Sequence, residues 1–388
     1  MLKFKKIIGT VHLSLGLLVG LVVFIIAITG CLYAFKEEIQ ELSQPWRKVE
    51  EQDKNFLPPS ELKTIAEVAL PGKLVHAVMY QVKERAAKVI FYHDGEDTYY
   101  NYVYLNPYSG EVIRITDELS GFFPFILEGH FYLWLPNDIG QPVVAIATLI
   151  FFVMLLTGIV LWWPKNKKVR KQRFSLKWQN VRWRRKNYDL HNVLGFYVSW
   201  IGIIFVITGL VWGFQWFRDS YYTVISGGDA YKEYQNPVSV PGALATVNPI
   251  DQVWQLMQRE YPGAGAIEIH PPEDATSPIA ANANPDPDTY WKTDYRYFDQ
   301  YSLKELSVDH MWGRFKSATV PQKIMRMNYD VHVGAIAGFA GKLLVFSASL
   351  IIASLPVTGF MIWLGRKRKK KNEIRSLRIP EQEAVEMI

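Results

Sequence analysis

The sequence predicts an α-helical membrane protein, a four-span bundle carrying two outer α+β domains and built as an internal repeat about a pseudo-two-fold axis. Three observations lead there. Ile7–Phe35, Pro142–Trp163, Leu190–Trp216 and Leu343–Trp363 are each about 20 or more largely apolar residues, enough to cross roughly 30 Å of hydrocarbon as helix. Two long polar segments, Lys36–His130 and Phe217–Asp330, separate the spans in pairs. Histidine and Thr-Gly positions also recur between the halves. His12 precedes Gly16 by four residues and Thr29-Gly30 by seventeen, and His191 stands in the same relation to Gly195 and Thr208-Gly209. His130 lies 27 residues before Thr157-Gly158, and His332 lies 26 before Thr358-Gly359.

In chain order, residues 1–35 form a basic tail and the first span, 36–124 the first outer domain, and 125–163 a rim helix with the second span. Residues 164–189 are a basic loop, 190–216 the third span, 217–330 the second outer domain, 331–364 the fourth span, and 365–388 a basic tail. The first span is too long and apolar for a signal peptide, and no small-residue cleavage pattern follows Ala34, so it is read as a retained anchor. Pro136 ends the rim helix Phe122–Leu135 before the second span descends. Both spans that open a half then run outward and both that close one run inward, which sets the repeat axis along the membrane normal.

Charge orients the bundle. Lys3, Lys5 and Lys6 precede the first span, eleven Lys or Arg fall within Lys165–Lys186, and Arg366–Lys371 follow the last span. Such clusters mark the cytoplasmic side, which places both termini inside and the polar segments outside, in the periplasm of a bacterium whose inner membrane this spans. The net charge of +6 therefore belongs to the lipid headgroups and is no nucleic-acid signal. Cys31 is the single cysteine, which excludes an internal disulfide and thiolate zinc or iron–sulfur sites. No dinucleotide fingerprint or phosphate loop occurs, so any electrons come from an external donor, a quinol or a flavin reductase.

The four histidines at span ends are the candidate site. An imidazole in a membrane span is costly and needs a role. Repeat-equivalent histidines face one another across the axis, pairing His12 with His191 near the inner face and His130 with His332 at the outer rim. No carboxylate or thiol stands beside them to complete a zinc tetrahedron, whereas two imidazoles across the iron of a flat macrocycle need no third ligand. The expectation is two bis-histidine haems, stacked as an electron path. Gly16, Gly195, Gly334 and Gly338 either give ring clearance or simply allow close helix packing, and the Thr-Gly pairs are read as packing.

The strings TGIVLWWPK from Thr157, YDLHNVLGFY and ITGLVWGF in the third span, and VTGFMIWLGRKRK in the fourth resemble the PepSY-associated transmembrane proteins, iron-regulated proteins of bacterial inner membranes. The resemblance covers nearly the whole chain. It implies a di-haem b ferric-siderophore reductase, with His12, His130, His191 and His332 as haem-iron ligands and a ferric siderophore or ferric chelate as periplasmic acceptor. A non-catalytic alternative is a membrane protein whose PepSY domains bind peptide, or sense or inhibit a periplasmic protease. The residue after each histidine, Leu13, Phe131, Asn192 or Val333, departs from the basic residue usual in the family.

The outer segments resemble PepSY domains. Pro59–Ala69 reads as a helix, Val75–Val82, Ala87–Tyr92 and Asn101–Leu105 as strands, and Asn106–Gly110 as a turn. Pro249–Tyr261 repeats the helix and Trp291–Leu306 the final strands. Pro271–Pro287, rich in Pro, Ala, Asn and Asp, reads as a mobile loop. Phe122, Phe123, Phe125, Phe131, Tyr132, Trp134, Trp312 and Tyr329 are expected at the outer rim, where they wall a pocket or form an aromatic belt. Arg314, Lys316, Lys323 and Arg326 are candidates to attract an anionic chelate or are solvated, and His76, His93, His270 and His310 are read as surface or domain-core groups.

Overall fold

The computed structural model describes the backbone of residues 2–164, 174, 179–242 and 247–385, with side chains from residue 3 to residue 369. Most of the basic cluster expected at Lys165–Lys186, and the end of the basic tail, lie outside the described residues. The chain divides into two compact units, one of residues 1–34, 126–214 and 343–388, the other of residues 35–125 and 215–342.

Four helices of the first unit, or reaching into it, are long and apolar enough to cross a membrane: Lys3–Tyr33, Asn137–Trp162, Trp183–Gly213 and Ala335–Lys369. Each runs past its apolar stretch into polar residues, because the helical hydrogen-bond ladder continues beyond the hydrocarbon boundary. Val19, Val23, Ala147, Val198, Ala348 and Ile352, drawn from all four, form the bundle core. Leu18, Leu21, Ile146, Trp200 and Leu344 are exposed on the outside, as expected where lipid replaces water around an apolar surface.

Before the second span, the helix Phe122–Tyr132 ends in a left-handed turn with φ of 55° at Leu133 and 57° at Trp134. Pro136 then opens the span helix at Asn137. Gly140 is required at this corner, since a Cβ there would run into the Tyr132 carbonyl. The break before the second span is present, but the rim helix ends at Tyr132, three residues short of the expected Leu135, because the chain turns at Leu133 and Trp134.

The second unit is built on one antiparallel sheet of eight strands, ordered β4-β3-β2-β1-β5-β6-β7-β8. The first segment supplies β1 (Val75–Gln81), β2 (Ala87–His93), β3 (Tyr99–Leu105) and β4 (Val112–Asp117). The second supplies β5 (Ala266–His270), β6 (Ile279–Asn284), β7 (Asp294–Phe298) and β8 (Glu305–Leu306). The two segments therefore do not close into separate sheets. They share a seam in which Val78 of β1 pairs with Ile269 of β5 and Tyr80 with Ile267.

One face of this sheet is covered by helices Pro59–Ala69 and Pro249–Glu260. Leu62 and Ala66 from the first, and Val253, Trp254 and Met257 from the second, meet Val78, Val89, Phe91, Ile269, Ile279 and Phe298 in a single core. Asp251 ties the two helices together by accepting from the Ser60 backbone N–H at 2.9 Å and the Ser60 hydroxyl at 2.6 Å. This uses the negative charge to satisfy a free N–H at the start of the neighbouring helix.

The region read as a mobile loop contains β6, in the interior of the sheet. Ile279, Ala281 and Ala283 are at most 1% exposed and alternate with Ala280, Asn282 and Asn284. This is a strand's period of two, written in side chains so small that the apolar signal is weak. Tyr297 and Phe298 of β7 flank its first two residues on one side and His270 of β5 on the other. The Asn106–Gly110 turn forms as read: Gly110 has φ of +74°, and Asn106 Oδ1 accepts from the Tyr108 N–H at 2.9 Å.

An unbroken row of rings crosses the other face of the sheet. Centroids are 6.0 Å apart for Tyr104–Tyr102, 5.2 Å for Tyr102–Tyr100, 5.4 Å for Tyr100–Tyr92, 5.7 Å for Tyr92–His76 and 4.9 Å for His76–His270. His76 joins the row because β1 bulges between Val75 and Ala77, and a bulge re-aims the extra residue.

Candidate haem-binding histidines

His12 sits on the first span, one turn inside its basic start, and its Nδ1 lies 2.9 Å from Thr157 Oγ1 on the second span. His191 sits on the third span, in a π-helical turn over Leu190–Leu194, with Nδ1 3.0 Å from Thr358 Oγ1 on the fourth span. His130 sits near the end of the rim helix, with Nδ1 2.9 Å from the Ile26 carbonyl and 3.2 Å from Thr29 Oγ1. A single arrangement thus recurs three times: an imidazole leans on the threonine of a Thr-Gly pair in another helix.

The threonines fix the tautomer. Thr157 donates its hydroxyl proton to the Val153 and Met154 carbonyls at 3.0 Å, Thr358 to Ser354 at 2.9 Å, and Thr29 to Ile25 at 2.7 Å. With that proton committed to the helix backbone, each Oγ1 is left as an acceptor, so the imidazole Nδ1 must carry the hydrogen and donate it. Nε2 is then unprotonated, with its lone pair directed away from the threonine. An imidazole held by Nδ1–H in this way is oriented and made more basic as a metal ligand.

The glycine of each pair lets the ring lie against the helix. A Cβ at Gly158 would stand 3.5 Å from His12 Cε1, one at Gly359 3.0 Å from His191 Cε1, and one at Gly30 3.0 Å from His130 Cε1. Thr29-Gly30, Thr157-Gly158 and Thr358-Gly359 are therefore histidine seats, where the sequence alone reads as helix packing. Conversely, Gly16 faces Met154 and Gly195 faces Leu355, and neither adjoins an imidazole. Gly334 and Gly338, with φ of +81° and +59°, serve the turn that leads into the last long helix.

All four candidate histidines are half-buried. His332 belongs to the sheet unit, at the end of the short helix Asn328–His332. That helix is anchored by Asp330, fully buried, whose carboxylate accepts from the Tyr290 N–H at 3.0 Å and the Trp291 N–H at 2.9 Å. Asn187, one turn before His191, donates to the Thr358 carbonyl at 3.0 Å and so holds the same threonine from its backbone side.

Among the described residues no group of three or more His, Cys, Asp or Glu side chains gathers to hold a metal ion. His12, His130 and His191 are separate, oriented imidazoles with Nδ1–H committed to an acceptor, a donor set that would suit a haem iron better than a tetrahedral ion.

The basic residues expected to draw an anionic chelate are largely spent on structure. Arg326 is 2% exposed and donates to the carbonyls of Met311, Thr293 and Gly313. Arg314 pairs with Asp294 and Glu305, and Lys323 lies over the Phe315 ring. Of the rim aromatics, Tyr329 packs on Tyr290, and Trp312 lines a cleft on the sheet together with His76 and His270.

His310 is a core pin, 4% exposed. Its Nδ1 accepts from the Trp312 N–H at 3.1 Å, so Nε2 carries the proton and donates to the Gln235 carbonyl at 3.1 Å. Burial holds its pKa below the ordinary 6.5. The unfolded chain then takes up a proton before the folded one does, so the stability from this pin is whole above about pH 6.5 and drains away as the pH falls toward the lowered folded value. Thermal melts of the full chain between pH 7.5 and 5 are expected to show a falling midpoint that His310→Gln flattens.

Four apolar helices in a bundle, with an antiparallel sheet domain, make this a multi-pass membrane protein. The chain belongs to the PepSY-associated TM region family, whose pattern matches residues 10–366. No curated protein matches it.

Proposed function

We propose that the protein is a transmembrane di-haem b oxidoreductase that passes electrons from an inner donor, a quinol or a flavin reductase, to a ferric siderophore or other ferric chelate outside. The observation that carries this reading is the Thr-Gly seat under His12, His130 and His191. Nδ1–H is committed to an acceptor and Nε2 is left to bind iron.

His12 and His191 hold one haem in this reading, and the sequence repeat assigns His130 and His332 to the other. A haem held by two imidazoles would supply single-electron transfer rather than a site for substrate. One electron converts each chelated ferric ion to ferrous iron, which the chelate holds less firmly and releases. Because β1 and β5 pair in one sheet, both polar segments lie on the same side of the membrane. The basic residues Lys3, Lys5, Lys6, Arg366 and Lys367 support placing that side outside, in the periplasm of a bacterial inner membrane.

The test is a reduced-minus-oxidised spectrum of the purified chain, expressed with ample haem. Low-spin b-type bands, about two haems per chain, and re-oxidation on adding a ferric hydroxamate or catecholate chelate are expected. A stable, colourless protein would overturn the reading and leave the peptide-binding or protease-sensing alternative.

A further inference from the structure

The sheet unit contains a cleft of about 370 Å³ that the redox reading does not use. Its volume falls in the range typical of small-molecule sites, roughly 300–1,000 Å³. His76 and His270, on the adjacent strands β1 and β5, form one wall with ring planes at 84°. Tyr234, Tyr295, Tyr297 and Trp312 form much of the rest, and the lining contains one carboxylate, Glu273, and neither lysine nor arginine.

We propose that this cleft binds a small organic cation, an alkylammonium group attached to a ring or short chain. Three features point to that class. The faces of tyrosine and tryptophan rings carry negative potential and attract ammonium groups. Glu273 adds a full negative charge, and Glu268 Oε1 stands 3.7 Å from His270 Nε2 just behind the wall. Arg326 lies outside the lining, held by backbone carbonyls and over the rings of Tyr295 and Trp312, 5.6 and 5.9 Å from their centroids. An anion entering the cleft would meet ring faces and a carboxylate, with no lysine or arginine among the lining residues.

The walls are set before any guest arrives. Tyr297 donates its hydroxyl to the Trp312 carbonyl at 3.0 Å, Tyr234 donates to Asn236 Oδ1 at 2.5 Å, and His310 ties the Gln235 and Trp312 strands of chain to each other. Little side-chain ordering remains to be done on binding, which favours affinity. Burial, and next the neighbouring His270, hold the His76 imidazole below its ordinary pKa, so at neutral pH His76 adds no positive charge. The bulge in β1 that brings His76 to this face is a device commonly found beside binding sites.

This inference stands apart from the haem reading, and its test separates the two. Isothermal titration of the full chain in detergent with phenethyltrimethylammonium is expected to give saturable binding, and titration with the anion 3-phenylpropionate none. Glu273→Gln and Tyr234→Leu, both at exposed positions, are each expected to weaken the cation about fivefold, with the visible spectrum of the protein unchanged. Equal binding of the anion, undiminished binding of the cation by both variants, or no saturable heat would each overturn the proposal, whatever the haem content proves to be.

Discussion

His191→Ala is expected to halve the haem content, leaving about one haem per chain in place of about two. The prediction follows from an imidazole whose Nδ1–H is spoken for by Thr358 and whose Nε2 is thereby left as a ligand. His12→Ala should have the same effect, and His130→Ala should remove the other haem. Thr358→Val provides the finer contrast: it keeps the shape but loses the acceptor, so haem affinity should fall about 10- to 100-fold while binding remains measurable. Gly359→Ala places a methyl 3.0 Å from His191 Cε1, so it should displace the ring and shift the spectrum of the same haem only. Pyridine haemochrome assay against protein concentration checks the haem counts, haem titration of the apoprotein checks the affinity, and the reduced-minus-oxidised spectrum checks the shift. Simultaneous loss of both haems from His191→Ala alone would contradict two separate sites.

The second large effect is structural. Arg326→Met is expected to destabilise the sheet unit by about 3 kcal/mol, because three backbone carbonyls, of Met311, Thr293 and Gly313, lose a buried charged donor at once. Arg326→Lys should recover little of this, since one ammonium cannot reproduce a fork that reaches several acceptors in a plane. Amide hydrogen exchange is the appropriate measurement: protection should fall at Thr293–Phe298 and Met311–Gly313. Unchanged protection in both variants would mean that the loop carbonyls find water as readily as they find the guanidinium.

These two predictions differ in how far the sequence alone reaches. The four spans and the four histidines are visible in it, because length, hydropathy and an imidazole in an apolar stretch are local signals. So is the helix Pro59–Ala69, opened by its prolines, and so are β1, β2 and β3, where large apolar residues alternate. The role of the Thr-Gly pairs is not visible. Each threonine lies at the opposite end of its half from the histidine it holds, and Thr-Gly in an apolar helix reads equally well as a packing notch. Gly16 and Gly195 share a helix face with their histidines in sequence, whereas Gly158 and Gly359, which adjoin the imidazole rings, stand on other helices far along the chain.

In the sheet, the losses have similar causes. Helix Pro249–Glu260 shows itself through its period, but β6 is written in alanine and asparagine, and β4 is an exposed edge strand with little apolar contrast. The β1–β5 seam joins residues on either side of two spans, and no local pattern encodes such a pairing. Arg326 was read as a candidate to attract a negatively charged chelate because sequence carries no burial for an isolated arginine. The same limit hid the meeting of His76 with His270, which depends on a one-residue bulge.

That seam has a bearing on how the protein is made. When the ribosome has finished the second span, strands β1 to β4 exist but β1 has no neighbour on its open side, and the partner strand will not emerge until the third span has been inserted. During that interval the nascent chain exposes a bare ladder of amide and carbonyl groups, which is the feature most apt to recruit a strand from a second copy. Insertion of the third span thus controls more than topology, since a delay there gives an intermolecular strand time to occupy the place reserved for β5. Truncation between the second and third spans should accordingly yield aggregates or exchanged dimers in preference to a stable half-protein.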